Sequence, residues 1–337
     1  MGGRMRMDAA EGVAVIVVNW NSGGLLEQCL SALREQTLRP KRVFVVDNAS
    51  TDDSASRLAE RHPGITLVQL GHNAGFAAAN NSAARMAEDC QWIALLNPDA
   101  VPEPAWLERL ITAARANPAY SFFASRLVLA GDTDRLDGAG DVYSVNGLAW
   151  RRHHGRSATT TALVPEEVFS PCAAAALYRR DAFLEAGGFD ESYFCYFEDV
   201  DLAFRLRLAG HRCLYLPDAI ARHVGSASTG RGSDFSVYLG HRNLVWTYVK
   251  NMPWLLLAAY LPHHILLNVV SVAWFSLRGR RTVILRAKRD ALRGLPRAWR
   301  QRRNIQAARK IGLRDLRRSM AGGFWLPYFS RARATGN

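Results

Sequence analysis

The chain has 337 residues, 49% of them hydrophobic and 22% charged, which excludes a disordered or low-complexity protein and supplies material for a sizeable core. Its net charge of +13 is unevenly spread: from residue 278 onward 18 Lys or Arg face only Asp290 and Asp315, a net of +16, so the preceding 277 residues carry −3. A near-neutral body with a cationic tail points to a polyanionic surface, either nucleic acid or anionic lipid. The five cysteines are scattered, contain no CxxC pair and read as reduced cytosolic thiols rather than a zinc module.

Residues 1–11 lack the apolar segment of a secretory signal and are expected to be disordered. Val13 to Val18 is a continuous apolar, β-branched run, as a strand covered on both faces requires. Gly23 to Gln36 places Leu25, Leu26, Cys29, Leu30 and Leu33 at helical spacing. The alternation continues with strands at Val43 to Val46, Ile65 to Leu70 and Trp92 to Leu96, and helices at Asp52 to Arg61, Gly75 to Glu88 and Pro104 to Ala116. Such strand–helix alternation implies right-handed crossovers and a mostly parallel sheet, with ligands bound beyond the carboxyl ends of the strands. Asn19, Asn21, Asp47, Asn48, Asn73, Asn97 and Asp99 all fall at those ends. Any one of them also suits a cap or a turn.

From Tyr120 to about Thr161 the pattern is irregular, with an Asp137-Gly138 turn. Phe169 to Tyr178 reads as a strand, Asp181 to Ala186 as a short helix, and Glu198 to Leu208 as an amphipathic helix stopped by Gly210. Short strands follow at His211 to Leu216 and Ile220 to Val224, then an aromatic-rich helix at Val237 to Lys250. Trp254 to Leu277 has no charged residue over 24 positions, enough for the about 20 needed to cross a bilayer, but Pro262, His263, His264 and Asn268 interrupt it. An interfacial or shallowly inserted helix is the favoured expectation, with a true span and a buried core helix as the alternatives. The arginine-rich tail begins directly after it, a juxtamembrane arrangement that favours membrane attachment.

Several side chains suit nucleotide and sugar chemistry. The Asp47 carboxylate can accept a hydrogen bond from the imide N–H of uracil or thymine, with Val17 and Asn19 beside it; an Asx turn is the structural alternative. Asp99 is a charged ligand for Mg²⁺ or Mn²⁺, which would neutralise a departing diphosphate. Glu198 and Asp199 open a helix where acids also complement the dipole, but Tyr193 to Phe197 just before them can desolvate a base and stack on sugar faces. A Gly/Ser-rich segment from Gly225 to Ser233, with Arg231 and the later Arg242-Asn243, can be a closing loop over diphosphate or simply surface.

The segments Val15-Ile-Val-Val-Asn-Trp-Asn21, Val46-Asp-Asn-Ala-Ser-Thr-Asp52, Asn73-Ala-Gly-Phe76, Leu96-Asn-Pro-Asp99 and Phe197-Glu-Asp-Val-Asp-Leu202, in that order, resemble family 2 glycosyltransferases of the GT-A fold, rhamnosyltransferase-like subgroup. The resemblance covers about Val13 to Asn243. It implies an α/β, Rossmann-like, mostly parallel sheet flanked by helices, with a C-terminal helical, basic, membrane-associating appendage. The expected parts are a glycosyltransferase domain over 12–236, a helical region over 237–277 and a basic helical tail over 278–337. By resemblance Asp199 is the catalytic base, with Glu198 orienting the acceptor. Asp47 contacts the base, and Asn73 with Gly75 form a turn near the nucleotide. Asn97-Pro98-Asp99 stands where the family has Asp-x-Asp, so Asn97 is assigned to the ribose and Asp99 to the metal. His223 falls at a third-ligand position, with a structural role as its alternative.

The implied activity is inverting, metal-dependent transfer of a sugar, L-rhamnose above others, from a dTDP- or UDP-sugar to a polyprenyl-linked or polysaccharide acceptor. The implied place is the cytoplasmic face of the cell membrane. A nucleic-acid-binding reading is disfavoured because the basic tail follows an apolar helix and no nucleic-acid module is present. An oxidoreductase lacks its Gly-x-Gly-x-x-Gly fingerprint here.

Overall fold

The computed structural model describes residues 12–56, 58–225 and 232–322. Strand β1 (Val13–Asn19) lies in the middle of a sheet whose parallel half is β3 (Ile65–Gln69), β2 (Arg42–Asp47), β1 and β4 (Trp92–Leu96). The expected crossovers are present: α1 (Gly24–Arg34), a short 3₁₀ turn at Asp53–Ala55 with α2 (Leu58–Arg61), and α3 (Gly75–Met86) connect these strands. The strand alternation explains the core. Val13, Val15 and Val17 point into one apolar layer with Leu26, Leu30 and Trp106, while Ala14, Ile16 and Val18 point into the other with Ala77, Ala83 and Phe183. A strand buried on both faces must be apolar at every position, as the sequence pattern required.

Beyond β4 the sheet becomes mixed. After β5 (Ala100–Pro102) and α4 (Trp106–Ala116), strand β6 (Phe122–Leu129) joins the sheet, followed by β7 (Asp132–Ala139), the hairpin β8 (Asp141–Tyr143) and β9 (Ala149–Arg151), and β10 (Glu166–Val168). Strand β11 (Ala175–Arg179) inserts antiparallel between β4 and β6. It is shorter than the strand expected from Phe169, because residues 171–174 turn along the sheet end instead. Helices α5 (Arg180–Glu185) and α6 (Glu198–Leu208) precede β12 (Cys213–His223). The two short strands expected there are one, with a register irregularity between Leu216 and Ile220 where Pro217 removes a ladder donor.

The C-terminal region is helical: α7 (Asp234–Asn251), α8 (Trp254–Leu277), α9 (Arg281–Ala307) and α10 (Leu313–Arg318). The basic stretch does not hang free. Helix α9 runs against α7, and at Gly294 the approach is so close that a Cβ would lie 2.4 Å from the Trp246 ring. Helix α8 touches the body along one stripe, Leu257, His264, Leu267 and Ser271, and exposes Trp254, Leu255, Ile265, Val269, Trp274 and Leu277. It is long and apolar enough to cross a membrane, and Pro262 is accommodated within it.

Candidate active site

The carboxyl ends of the parallel strands carry a continuous polar network. In-register pairing sets Asn19 opposite Asp47, and Asn19 Nδ2 donates to Asp47 Oδ1 at 2.9 Å, to Ser54 Oγ at 2.8 Å and to Ser50 Oγ at 3.1 Å. Asp47 Oδ2 accepts from the Ser50 backbone N–H, so the Asx turn that stood as its alternative is also formed. Asn48 Nδ2 donates to Asn73 Oδ1, and the Asn48 and Asn73 oxygens accept from the backbone N–H groups of Ala74 and Gly75. Gly75 opens α3 at φ +85°, where a Cβ would meet Phe194 at 2.6–2.8 Å. Glycine is required there by conformation and by space together.

These strand ends border a cleft of about 590 Å³ that brings together Asn73, Gly75, Asn97, Asp99, Glu198, Asp199 and His223. Four expected residues do not line it. Asp47 is 7% exposed and turned onto Asn19 and the Ser50 N–H behind the rim, with its neighbour Asn48 at the cleft. The Val17 side chain turns into the opposite apolar layer, and its neighbours by parity, Val18 and Trp20, face the cleft instead. Asn19 is fully buried and acts by bracing Asp47. Arg242, expected at the nucleotide sugar, donates to the backbone carbonyls of Ser192 and Tyr193 and stacks on Trp246. Arg231 lies outside the described residues.

Strand β4 ends at Leu96, and Asn97-Pro98-Asp99 turns the chain into β5. Pairing of β5 with β12 sets His223 opposite Ala100, next to Asp99. His223 Nε2 is 3.3 Å from Asp99 Oδ1, and Nδ1 is 2.7 Å from Asp137 Oδ2, which also accepts from Arg151 Nη1. Burial alone would lower the His223 pKa, but the hydrogen bond to Asp137 and the nearby Asp99 carboxylate outweigh it and the value is raised. Asp137 is held well below the usual carboxylate range: its burial is overcome by His154, His223 and Arg151.

The donor set fits a divalent cation in part. Asn97 Oδ1 is buried without a hydrogen-bond partner beside Asp99, and Asp137 on Nδ1 directs His223 Nε2 toward that carboxylate, 3.3 Å away. Among the described residues no three His, Cys, Asp or Glu side chains form a complete cage. Oxygens of a diphosphate and water would complete the coordination, as they do for magnesium-type sites.

The opposite wall is built from α6 and the loop before it. Phe194, Tyr196 and Phe197 all have positive φ (67°, 67° and 70°), a strained run that persists because its surroundings fix it. Asn243, fully buried on α7, directs its amide at the carbonyls of Tyr193, Cys195 and Tyr196. This places Glu198 and Asp199 at the cleft. Asp199 accepts from the backbone N–H groups of Ala173 (3.2 Å) and Val200 (2.8 Å), yet burial still raises its pKa. Glu198 is raised well above its ordinary value, first by burial and then by Asp199, and its Oε2 has no partner. Asp141, on the facing hairpin, is also raised well above its ordinary value, by burial and then by Asp199. Arg151 opposes this, lowering Asp199. Asp201 points away from the cleft to Arg205, Lys250 and Asn251 and ties α6 to α7.

The model for glycosyl transferase family 2 matches residues 14–187, which takes in every strand of the main sheet but β12 and leaves out the α6 acids and His223. The chain belongs to glycosyl transferase family 2. It is a glycosyltransferase, with the GT-A fold, and it is 32% identical to the N-acetylglucosaminyl-diphospho-decaprenol L-rhamnosyltransferase of Mycobacterium tuberculosis over 256 residues, 70% of this chain and 82% of the relative. It is 24% identical to the O-antigen chain rhamnosyltransferase RfbN of Salmonella typhimurium over 214 residues, 63% of this chain and 66% of that one. Among solved structures, GalNAc-T7 with UDP, GalNAc and Mn²⁺ superposes with a TM-score of 0.63 at 15% identity, over 82% of this chain and 55% of that one. The mannosyltransferase PcManGT of Pyrobaculum calidifontis, with GDP-Man and Mn²⁺, gives 0.51 at 21% identity, over 89% and 86%. At those identities the structures speak for the fold.

Sequence reasoning missed Asp137, Asp141, Arg151 and the clamp formed by Asn243. The first three lie in the irregular stretch, and only the β7 and β8–β9 pairings bring Asp141 and Arg151 to the cleft and Asp137 behind His223.

Proposed function

We propose that this glycosyltransferase moves L-rhamnose, with inversion, from a dTDP- or UDP-sugar to a hydroxyl of a lipid-linked saccharide. The reading rests on one observation above all: Asp99, with His223 Nε2 3.3 Å from its Oδ1 and the unpartnered Asn97 Oδ1 beside it, shares a single cleft with Asp199 and Glu198. Asp47 receives the imide N–H of the base. Asn97 and Asp99 face the ribose and diphosphate, with Asp99 and His223 as the ligands of Mg²⁺ or Mn²⁺. The cation supplies charge neutralisation to the leaving diphosphate. Asp199 takes the proton of the acceptor hydroxyl as its oxygen attacks the anomeric carbon, and burial raises its basicity for that task. Glu198, unpartnered at Oε2, orients the acceptor. Phe194, Tyr196, Trp150 and Phe235 line the cleft where sugar faces stack and water is excluded.

The acceptor class follows the mycobacterial relative, whose name specifies a decaprenol-linked substrate. The exposed apolar side of α8 beside the basic α9 supports work at an anionic membrane surface, on its cytoplasmic face, with α8 shallowly inserted. The parts divide as a transferase unit over 12–236, the helical region over 237–277 and the basic tail from 278. A panel of nucleotide sugars, with and without Mn²⁺, tests the donor. Turnover with dTDP-rhamnose that is lost on chelation is expected; equal turnover without any divalent ion overturns the metal assignment.

A further inference from the structure

A second cavity, of about 490 Å³, lies at the corner between α7 and α8, against the end of α9. Trp254, Leu255 and Trp299 form its apolar part and stay 61%, 65% and 45% exposed. Arg302, Arg303, Arg309 and Gln306 form its polar part, and among the described residues no Asp or Glu lines it. Arg302 is the telling residue. It is only 6% exposed, its Nη1 donates to the carbonyls of Val249 and Met252, and no carboxylate among the described residues pairs with it. A buried cation without a counter-ion is costly, and an anion in the groove would offset that cost.

We infer that this groove holds the phosphate of an anionic phospholipid headgroup, with Trp254, Leu255 and Trp299 lying among the first acyl methylenes. Indole rings beside arginines suit the boundary between headgroups and hydrocarbon. The exposed apolar side of α8 continues from the same edge. The occupant is bulk lipid rather than the acceptor's diphosphate on grounds of distance. Gly240 lines the catalytic cleft and Pro253 lines the groove, and the eleven residue steps of α7 from Gly240 to Asn251 alone carry the chain about 16 Å between them. The inference deepens the membrane reading above and depends on it.

The test uses the full chain and sedimentation with phosphatidylcholine vesicles containing or lacking phosphatidylglycerol. Arg302 is left intact because it supports the α7–α8 corner. R303Q/R309Q is compared with R281Q/R314Q, which removes the same charge from exposed positions outside the groove. The groove pair is expected to lose about tenfold more affinity for phosphatidylglycerol vesicles than the control pair. Equal losses would reduce the effect to diffuse basicity and overturn the site. Groove-dependent displacement from the vesicles by inorganic phosphate would reassign it to free phosphate. Groove-dependent binding to neutral vesicles doped only with a polyprenyl diphosphate would reassign it to the acceptor. Slow hydrolysis of nucleotide sugar in solution stays unchanged in both pairs. Its absence from the wild type would count against the proposed transfer while the vesicle comparison still decides the groove.

Discussion

The two walls of the cleft handle their acids in opposite ways. On the strand-end wall, Asp47, Asn48 and Asn73 are held by side-chain and backbone donors, and Asp137 is stabilised as a carboxylate by two histidines and an arginine. On the α6 wall, Glu198 and Asp199 are buried beside one another and both raised, as is Asp141 on the hairpin facing them, with one oxygen of Glu198 unpartnered. The first wall is built to recognise a ligand without changing protonation. The second binds a proton more tightly than a free carboxylate does, as a group that must take the acceptor's proton requires.

If the α6 wall is under this electrostatic load, its support should be the most sensitive point. Lys250 is buried and pairs with Asp190 at 2.7 Å and Asp201 at 2.8 Å. Lys250→Met removes the cation that Asp190 and Asp201 share, leaving Asp201 only Arg205 as a cation and Asp190 only neutral donors, and should cost about 3–5 kcal/mol in chemical denaturation. Both acids have depressed pKa values in the fold despite burial, with Lys250 the main opposing influence. Their contribution is therefore complete above the unfolded carboxylate pKa and is lost as pH falls through the folded values. The gap between variant and wild type should be full at neutral pH and shrink on acidification; a gap that grows in acid would contradict the assignment.

The strand-end wall should fail in binding rather than in folding. Asp99→Ala should lower Mn²⁺-dependent turnover by about 10²–10³-fold while leaving the melting temperature close to wild type. Unaltered turnover would remove Asp99 from the metal site. The contact between the walls is Gly75 against Phe194, and Gly75→Ala should destabilise by about 1–3 kcal/mol and weaken donor affinity, measured by melting and titration calorimetry. A neutral result would mean the aromatic loop adapts freely.

The smallest effect tests the crosstalk. Arg151 lowers the Asp199 pKa across the cleft, so Arg151→Gln should raise it and move the acid limb of the pH–rate profile to higher pH. Movement to lower pH would break the link between the walls.

The strand-end wall was legible in the sequence and the α6 wall only partly. Parallel strands buried on both faces announce themselves as apolar runs, and the polar residues that end them, Asn19, Asp47 and Asn97, stand out against that background. Val17 was misplaced by a single step of alternation. The Asp141 and Arg151 positions carry no local signal, because a short hairpin with mixed burial brings them to the cleft. Arg242 and Asn243 stand out in the sequence as a polar pair on an aromatic helix. Their use as braces for Tyr193 to Tyr196 depends on how α7 docks, which periodicity alone does not encode.

The division of labour is tested most directly by measuring donor affinity and turnover side by side in Asp199→Asn. The account predicts donor affinity near that of the wild type and transfer reduced by about 10²–10⁴-fold, the range for loss of a general base. Near-normal transfer, or donor affinity lost in step with transfer, would contradict it.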